Sequence, residues 1–198
     1  MSSIINKICE LLRERIERDE TRIGMGLQNG GYAVITLHRP SNVDDAPTLA
    51  GIVEQLAEVS RALPVVFPLH PRTRKRLQEF QLLETLDRAP GVHLSEPLRY
   101  VEFMNLVTGS ALVVTDSGGV QEETTYLGIP CLTLRDSTER PITVSQGTNK
   151  LVEPGRVLQN VTAVLRGNWP DGRRPELWDG ATAARIADSL RARLAAVS

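Results

Sequence analysis

Short β-rich apolar runs at residues 32–37, 65–69, 92–94, 111–115 and 131–134 alternate with stretches of helical period, and this alternation constrains the chain more than any other feature. In residues 48–62, Leu49, Ile52, Val53, Leu56 and Val59 fall on one stripe, the spacing that brings side chains to one face of an α-helix. Further helical segments are expected at 72–79, 101–108 and 119–127. Strands separated by helices must cross over, and right-handed crossovers build a parallel sheet covered on both faces. The predicted architecture is an α/β, doubly wound parallel sheet, in which ligands bind beyond the C-terminal ends of the strands.

An amphipathic helix is expected ahead of the first strand, over residues 2–18, with Ile4, Ile5, Ile8, Leu11, Leu12 and Ile16 opposite Lys7, Arg13, Glu14 and Glu17. Gly24, Gly26, Gly30 and Gly31 then break the pattern. The last third reads as poorer in strands, with helices at 157–165 and 181–194 separated by a loop holding Trp169-Pro170 and Trp178-Asp179-Gly180. A length of 198 residues favours one core, so residues 1–198 are taken as a single domain.

The 41% hydrophobic and 24% charged residues exclude a disordered or fibrous chain. A formal net charge of -1 without any basic block predicts neither a nucleic-acid partner nor a membrane surface. The densest basic stretch, Arg72, Arg74, Lys75 and Arg76, reads as the solvated start of a helix. Cys9 and Cys131 lack metal or disulfide spacing and fit a reduced, cytoplasmic protein, with Cys131 a small core residue. No run reaches the roughly 18 apolar residues of a membrane span, and the N-terminal residues do not resemble a signal peptide.

Residues 115–123, Thr-Asp-Ser-Gly-Gly-Val-Gln-Glu-Glu, join the fourth strand to a helix. Ser117 can cap that helix, Gly118 and Gly119 let backbone approach a ligand, and the first-turn N–H groups attract a phosphate. A plain capped loop with tight glycines accounts for the same residues. Glu122 and Glu123 suit the first turn for dipole reasons alone, yet one of them could accept hydrogen bonds from ribose hydroxyls. His38 and Arg39 end the first strand at the same sheet edge, offering an acid/base group and a bidentate cation. Residues 136–141 follow the fifth strand and add hydroxyls and Arg140. His70, at the end of the second strand, is a candidate for a second anion site, with helix capping or solvent exposure as the alternative, and His93 receives no role. No metal motif is present, Ser117 lacks the G-x-S-x-G elbow of serine hydrolases, and no G-x-G-x-x-G follows the first strand.

Taken together, the runs at 36–43 (Thr-Leu-His-Arg-Pro-Ser-Asn-Val), 67–71 (Phe-Pro-Leu-His-Pro), 115–123, and 138–141 (Thr-Glu-Arg-Pro) through Gly147-Thr148 resemble the non-hydrolysing UDP-N-acetylglucosamine 2-epimerases of bacteria and archaea. The resemblance is to the C-terminal domain of that family and covers nearly the whole chain. It implies a Rossmann-like half of a two-domain glycosyltransferase-B type fold, with residues 1–20 near the interdomain hinge and a C-terminal helix over 181–196. By the same resemblance Phe103 packs on uracil and Leu98 hydrogen-bonds the base through its backbone. Glu123 holds the ribose, while Ser117, Gly118 and Gly119 cradle the diphosphate together with His38 and Arg140; Arg39 is added as a substrate-binding residue on its own chemistry.

The implied reaction converts UDP-N-acetylglucosamine to UDP-N-acetylmannosamine, in cell-surface polysaccharide biosynthesis, by eliminating UDP and adding it back on the other face. It uses no metal or nicotinamide cofactor. In the family the acid/base carboxylates come mainly from the N-terminal domain, to which no part of this chain corresponds, so the chain alone is expected to be inactive. A chain truncated at the hinge or a split enzyme with its partner in trans would read this way. Ser41 stands where many members carry Glu, and Glu153-Pro154-Gly155 replaces a commoner Gly-Thr-Asp turn. The expected partners are UDP or a UDP-sugar, a complementary N-terminal domain, and a second copy of the chain. The alternatives are a stand-alone nucleotide-sugar-binding or regulatory module and half of a glycosyltransferase.

Overall fold

The computed structural model of the chain describes residues 4–179 and 181–195. Ser2, Gly180, residue 196 and the side chains of Ile4, Ile5 and Lys7, on which parts of the expected terminal helices and loop rest, lie outside the described residues.

Two helices, α1 (Ile4–Arg18) and α2 (Thr21–Gly24), lead into β1 (Ala33–Thr36). Next come α3 (Pro40–Val43), α4 (Ala46–Val59), β2 (Val65–Pro68), α5 (Pro71–Glu79), α6 (Leu83–Asp87) and β3 (Val92–Ser95). The second half runs α7 (Tyr100–Gly109), β4 (Leu112–Thr115), α8 (Gly118–Leu127), β5 (Cys131–Thr133), α9 (Pro141–Ser145) and β6 (Asn149–Leu151). A 3-10 turn, Pro154–Arg156, then leads to α10 (Val157–Leu165) and α11 (Thr182–Ala195).

The strands form one sheet in the order β3-β2-β1-β4-β5-β6, every neighbouring pair parallel. All five expected strands and the main expected helices are present. The sixth strand was not expected, because Asn149-Lys150-Leu151 is three residues long and mostly polar. It exists because β5 offers it a ladder, with Cys131 opposite Asn149 and Thr133 opposite Leu151. Its Asn149 is buried and satisfied, accepting from the Thr133 hydroxyl at 2.6 Å and donating to Gln121 and Thr143. Tertiary pairing overrides weak strand preference here.

The pleat divides the core into two layers. Ala33 and Ile35 of β1 face a cluster containing Leu49, Ile52, Leu56, Phe67, Leu77, Val114 and Val161. Tyr32 and Val34 face the opposite layer with Cys9, Ile16, Met104, Val113 and Val120. This period of two is what a strand covered on both faces must show. The stripe on α4 is buried as expected, and Asp45 caps that helix by accepting from the Thr48 amide at 3.0 Å. On the other face, buried Asn105 of α7 pins α1, donating to the carbonyls of Ile16 and Asp19 at 2.9 and 2.8 Å.

The basic stretch of α5 is not merely solvated. Arg72 and Arg76 clasp Asp44, whose carboxyl they hold at about 2, and Arg74 pairs with Glu96 at 2.6 Å. These arginines therefore brace neighbouring loops. Cys131 is fully buried, and burial pushes its thiol up to about 11. Among the described residues no helix is long and apolar enough to cross a membrane.

Candidate functional site

The direction of strand order reverses between β1 and β4, which lie side by side with Thr36 opposite Thr115. At such a switch point the loops leaving the two strands splay to opposite faces and open a crevice. From β1 come His38 and Arg39, and from β4 come Asp116 and the Ser117-Gly118-Gly119 turn.

Asp116 joins the two loops. It is fully buried, and its carboxylate accepts from the His38 amide at 3.0 Å, the Arg39 amide at 2.8 Å, the Asn42 side-chain amide at 3.1 Å and His38 Nδ1 at 3.0 Å. Arg39 Nε returns a bond to the Asp116 carbonyl at 2.9 Å. Burial opposes the charge on Asp116, but the bonds from His38, Arg39 and Asn42 outweigh it and hold the carboxyl below its ordinary value. In the sequence Asp116 stands out only as part of its motif, and only the pairing of β1 with β4 brings it to its donors in H-R-P-S-N.

Ser117 occupies the N-cap position of α8, as expected, but its side chain makes no capping bond. Instead, its amide donates to the Thr115 hydroxyl at 3.0 Å. The helix start is thus set by backbone and by Thr115, a correction to the expected serine cap. Glu122 and Glu123 also sit one turn later than expected, since α8 begins at Gly118 and has no acidic residue in its first turn.

The two glutamates have separate partners. Glu122 takes Arg140 Nε at 2.5 Å, which carries Arg140 from the β5–α9 loop to the flank of α8. Glu123, only 6% exposed, has its carboxyl pushed up by burial against an opposing hydrogen bond from Tyr100. Tyr100 opens α7, and its hydroxyl also meets Cys9 Sγ at 3.1 Å. Leu98 and Phe103, expected at the base, flank Tyr100 in sequence and are half-buried against the same apolar layer.

Arg39 pairs with Glu139 at 3.6 Å, and Glu139 is gripped by Arg135 through both guanidinium nitrogens at 2.7 and 2.8 Å. Thr138 donates to Gln121 at 2.6 Å and fixes this loop to α8. Beside Arg39 a cavity of about 340 Å³ is lined by Ser41, Asn42, Arg135 and Ser137. A larger one, about 820 Å³, lies at the far sheet edge among α5, α6 and β3. It is lined by Arg74, Leu77, Leu83, Glu84, Asp87 and Glu96, and its one cation, Arg74, is already paired with Glu96.

His70 caps α5, accepting the Arg72 amide on Nδ1 at 3.2 Å, which realises the capping alternative. Its ring nevertheless stands 5.5 Å from that of His38. His93 is exposed on edge strand β3.

Fold and site together define a doubly wound α/β domain with its crevice at the β1/β4 switch point and a glycine turn opening a helix beneath it. The family model for UDP-N-acetylglucosamine 2-epimerase matches residues 3–191, and the chain belongs to that family. It is 47% identical over 123 residues to the UDP-N-acetylglucosamine 2-epimerase of Methanocaldococcus jannaschii, a match covering 61% of this chain and 34% of that protein. It is 43% identical over 141 residues to the UDP-2,3-diacetamido-2,3-dideoxy-D-glucuronate 2-epimerase of Pseudomonas aeruginosa, covering 71% and 38%. Among solved structures, the M. jannaschii enzyme in complex with UDP-GlcNAc and UDP superposes with a TM-score of 0.78 at 36% identity, covering 93% of this chain and 53% of that one. The Neisseria meningitidis enzyme bound to UDP-GlcNAc follows at 0.72 and 28%, covering 94% and 53%. The chain spans about half the length of these solved relatives and less of the curated ones. The E. coli ADP-heptose heptosyltransferase II, at 13% identity, a TM-score of 0.53 and coverage of 84% and 53%, shares the fold alone.

Proposed function

We propose that this chain is the UDP-binding half of a UDP-N-acetylglucosamine 2-epimerase. The observation that supports it most is the convergence of the His38-Arg39 loop and the Ser117-Gly118-Gly119 turn on buried Asp116. A diphosphate seated there meets the free amides at the start of α8, the positive end of its dipole and the guanidinium groups of Arg39 and Arg140. His38 is assigned the role of protonating or supporting the departing diphosphate. Glu123 accepts from the ribose, and Phe103 and Leu98 hold the base.

Inversion at C2 also requires groups that take and return a carbon-bound proton. Glu122 is paired with Arg140 and Glu123 with Tyr100, and the proton transfer is assigned to neither. The carboxylates belong to a complementary N-terminal domain, carried in the same polypeptide or supplied in trans.

Calorimetric titration with UDP and with ADP tests the reading. The expected result is binding of UDP with selectivity over ADP that falls when Phe103→Ala removes the base platform. Epimerisation is expected only once an N-terminal half is added. A folded chain that binds neither nucleotide, or both equally, overturns the proposal.

A further inference from the structure

We propose that Asp116 is the positioning residue for His38, holding the imidazole as its Nδ1–H form so that diphosphate binding at Nε2 draws a proton from solvent. The inference rests on the function proposed above for the ligand, but its first half concerns the free protein.

The geometry carries it. His38 Nδ1 lies 3.0 Å from an Asp116 oxygen that is wholly shielded from water. A carboxylate accepts only, so the ring nitrogen facing it carries the hydrogen. The His38 and Arg39 amides and the Asn42 side chain donate to the same carboxylate, which keeps it ionised and fixed in place. With Nδ1 turned inward, Nε2 lies across the ring and, in the neutral imidazole, is a lone pair. A lone pair repels a phosphate oxygen. For Nε2 to donate to a diphosphate the ring must gain one proton, and the buried Asp116 charge balances the imidazolium that results. The proton comes from the medium, no bond to carbon changes, and it returns when the ligand leaves.

His70 approaches the His38 ring at 5.5 Å from the end of β2, and Arg39, next in the chain, is paired with Glu139. His70 holds the opposite tautomer, because its Nδ1 accepts the Arg72 amide and its proton therefore resides on Nε2. The two adjacent imidazoles are thus set in complementary forms by two unrelated backbone features.

The chain has only three histidines, so nitrogen-detected NMR of the imidazoles separates them. In the free protein near neutral pH, His38 Nδ1 is expected to be pyrrole-type and His70 Nδ1 pyridine-type, with exposed His93 as an averaging reference. A His38 spectrum that averages like His93 overturns the proposal, whether or not any nucleotide binds. The second half is read by titrating UDP in buffers of different protonation enthalpy. Wild-type chain is expected to take up a fraction of a proton on binding, and His38→Gln none. Asp116→Asn is expected to lose the uptake and weaken UDP about tenfold, with uridine affinity changed less than about twofold. His38→Gln leaves the three other donors to Asp116 intact, so it serves should Asp116→Asn disturb folding. Binding of UDP with equal uptake in wild type and His38→Gln assigns the proton elsewhere and sinks the second half. Absence of UDP binding in wild type counts instead against the proposed function.

Discussion

Glu123 concentrates the conflict between stability and use at the scale of one residue. It is buried beside Glu122, and burial first, then its charged neighbour, raises its carboxyl above the ordinary value, while Tyr100 pulls the other way. A carboxyl raised in the folded state binds protons more tightly there than in the unfolded chain. Stability is therefore lost as pH rises from the unfolded value through the folded one, and the cost persists at neutral pH. Glu123→Gln keeps an acceptor for Tyr100 and removes the charge. It should raise Tm by about 2–4 °C for each kcal/mol recovered while weakening UDP. Thermal scans at pH 7 and pH 4 check the sign, because the gain should shrink at the lower pH. Glu123 was legible in the sequence as one of two candidate acids beside a glycine turn, and its choice over Glu122 came from family resemblance. Asp116 was not legible, since an acid after a strand also serves ordinary turns, and its significance depends on donors 74 to 78 positions away.

Among the elements, the strand–helix alternation was readable because β1, β2, β4 and β5 are buried on both sides and helices such as α4 on one, so hydrophobic period carries the assignment. Short pieces escaped it. α3, α9 and β6 are three to five residues long, too few for any period to declare itself, and they are held by polar contacts such as Thr143 and Asn149. Gly147, noted in the sequence only as part of a motif, lies between α9 and β6 and against α8. A Cβ there would stand 2.5 Å from the Thr125 side chain and from the Thr143 carbonyl, while Gly172 packs against its backbone from the following loop. Gly147→Ala is therefore expected to destabilise the fold by about 1–3 kcal/mol, read as a lower denaturation midpoint with an unchanged slope. Gly155→Ala, in open space, is the matched control.

Across the whole molecule the helices differ in how firmly they are tied down. α11 buries none of its residues, and Ile186, Leu190 and Leu194 are 55%, 56% and 71% exposed along one stripe. Its start is tethered by Arg185, which bonds the Leu177 carbonyl and Asp179. A helix of 14 residues without an apolar face against a core is marginal in water. Amide exchange across 182–195 should thus be orders of magnitude faster than in β1 and β4, and slow on addition of an N-terminal half if that half covers the stripe. The two-layer sheet was readable in advance, whereas the loose tether of α11 was not, because an amphipathic pattern says that a face is to be covered but not by what. The Asp116 bridge has its own consequence at this scale. It spans a stretch of chain that includes β2, β3 and α7, so neither loop holds its shape until the chain has run through those elements and brought β4 back against β1. A backbone nick in that interval would leave both motifs chemically intact and the crevice absent unless the two pieces reassociate. Nucleotide capture is in that sense an all-or-none property, and a nicked chain's power to regain it would measure how well the severed halves recognise each other.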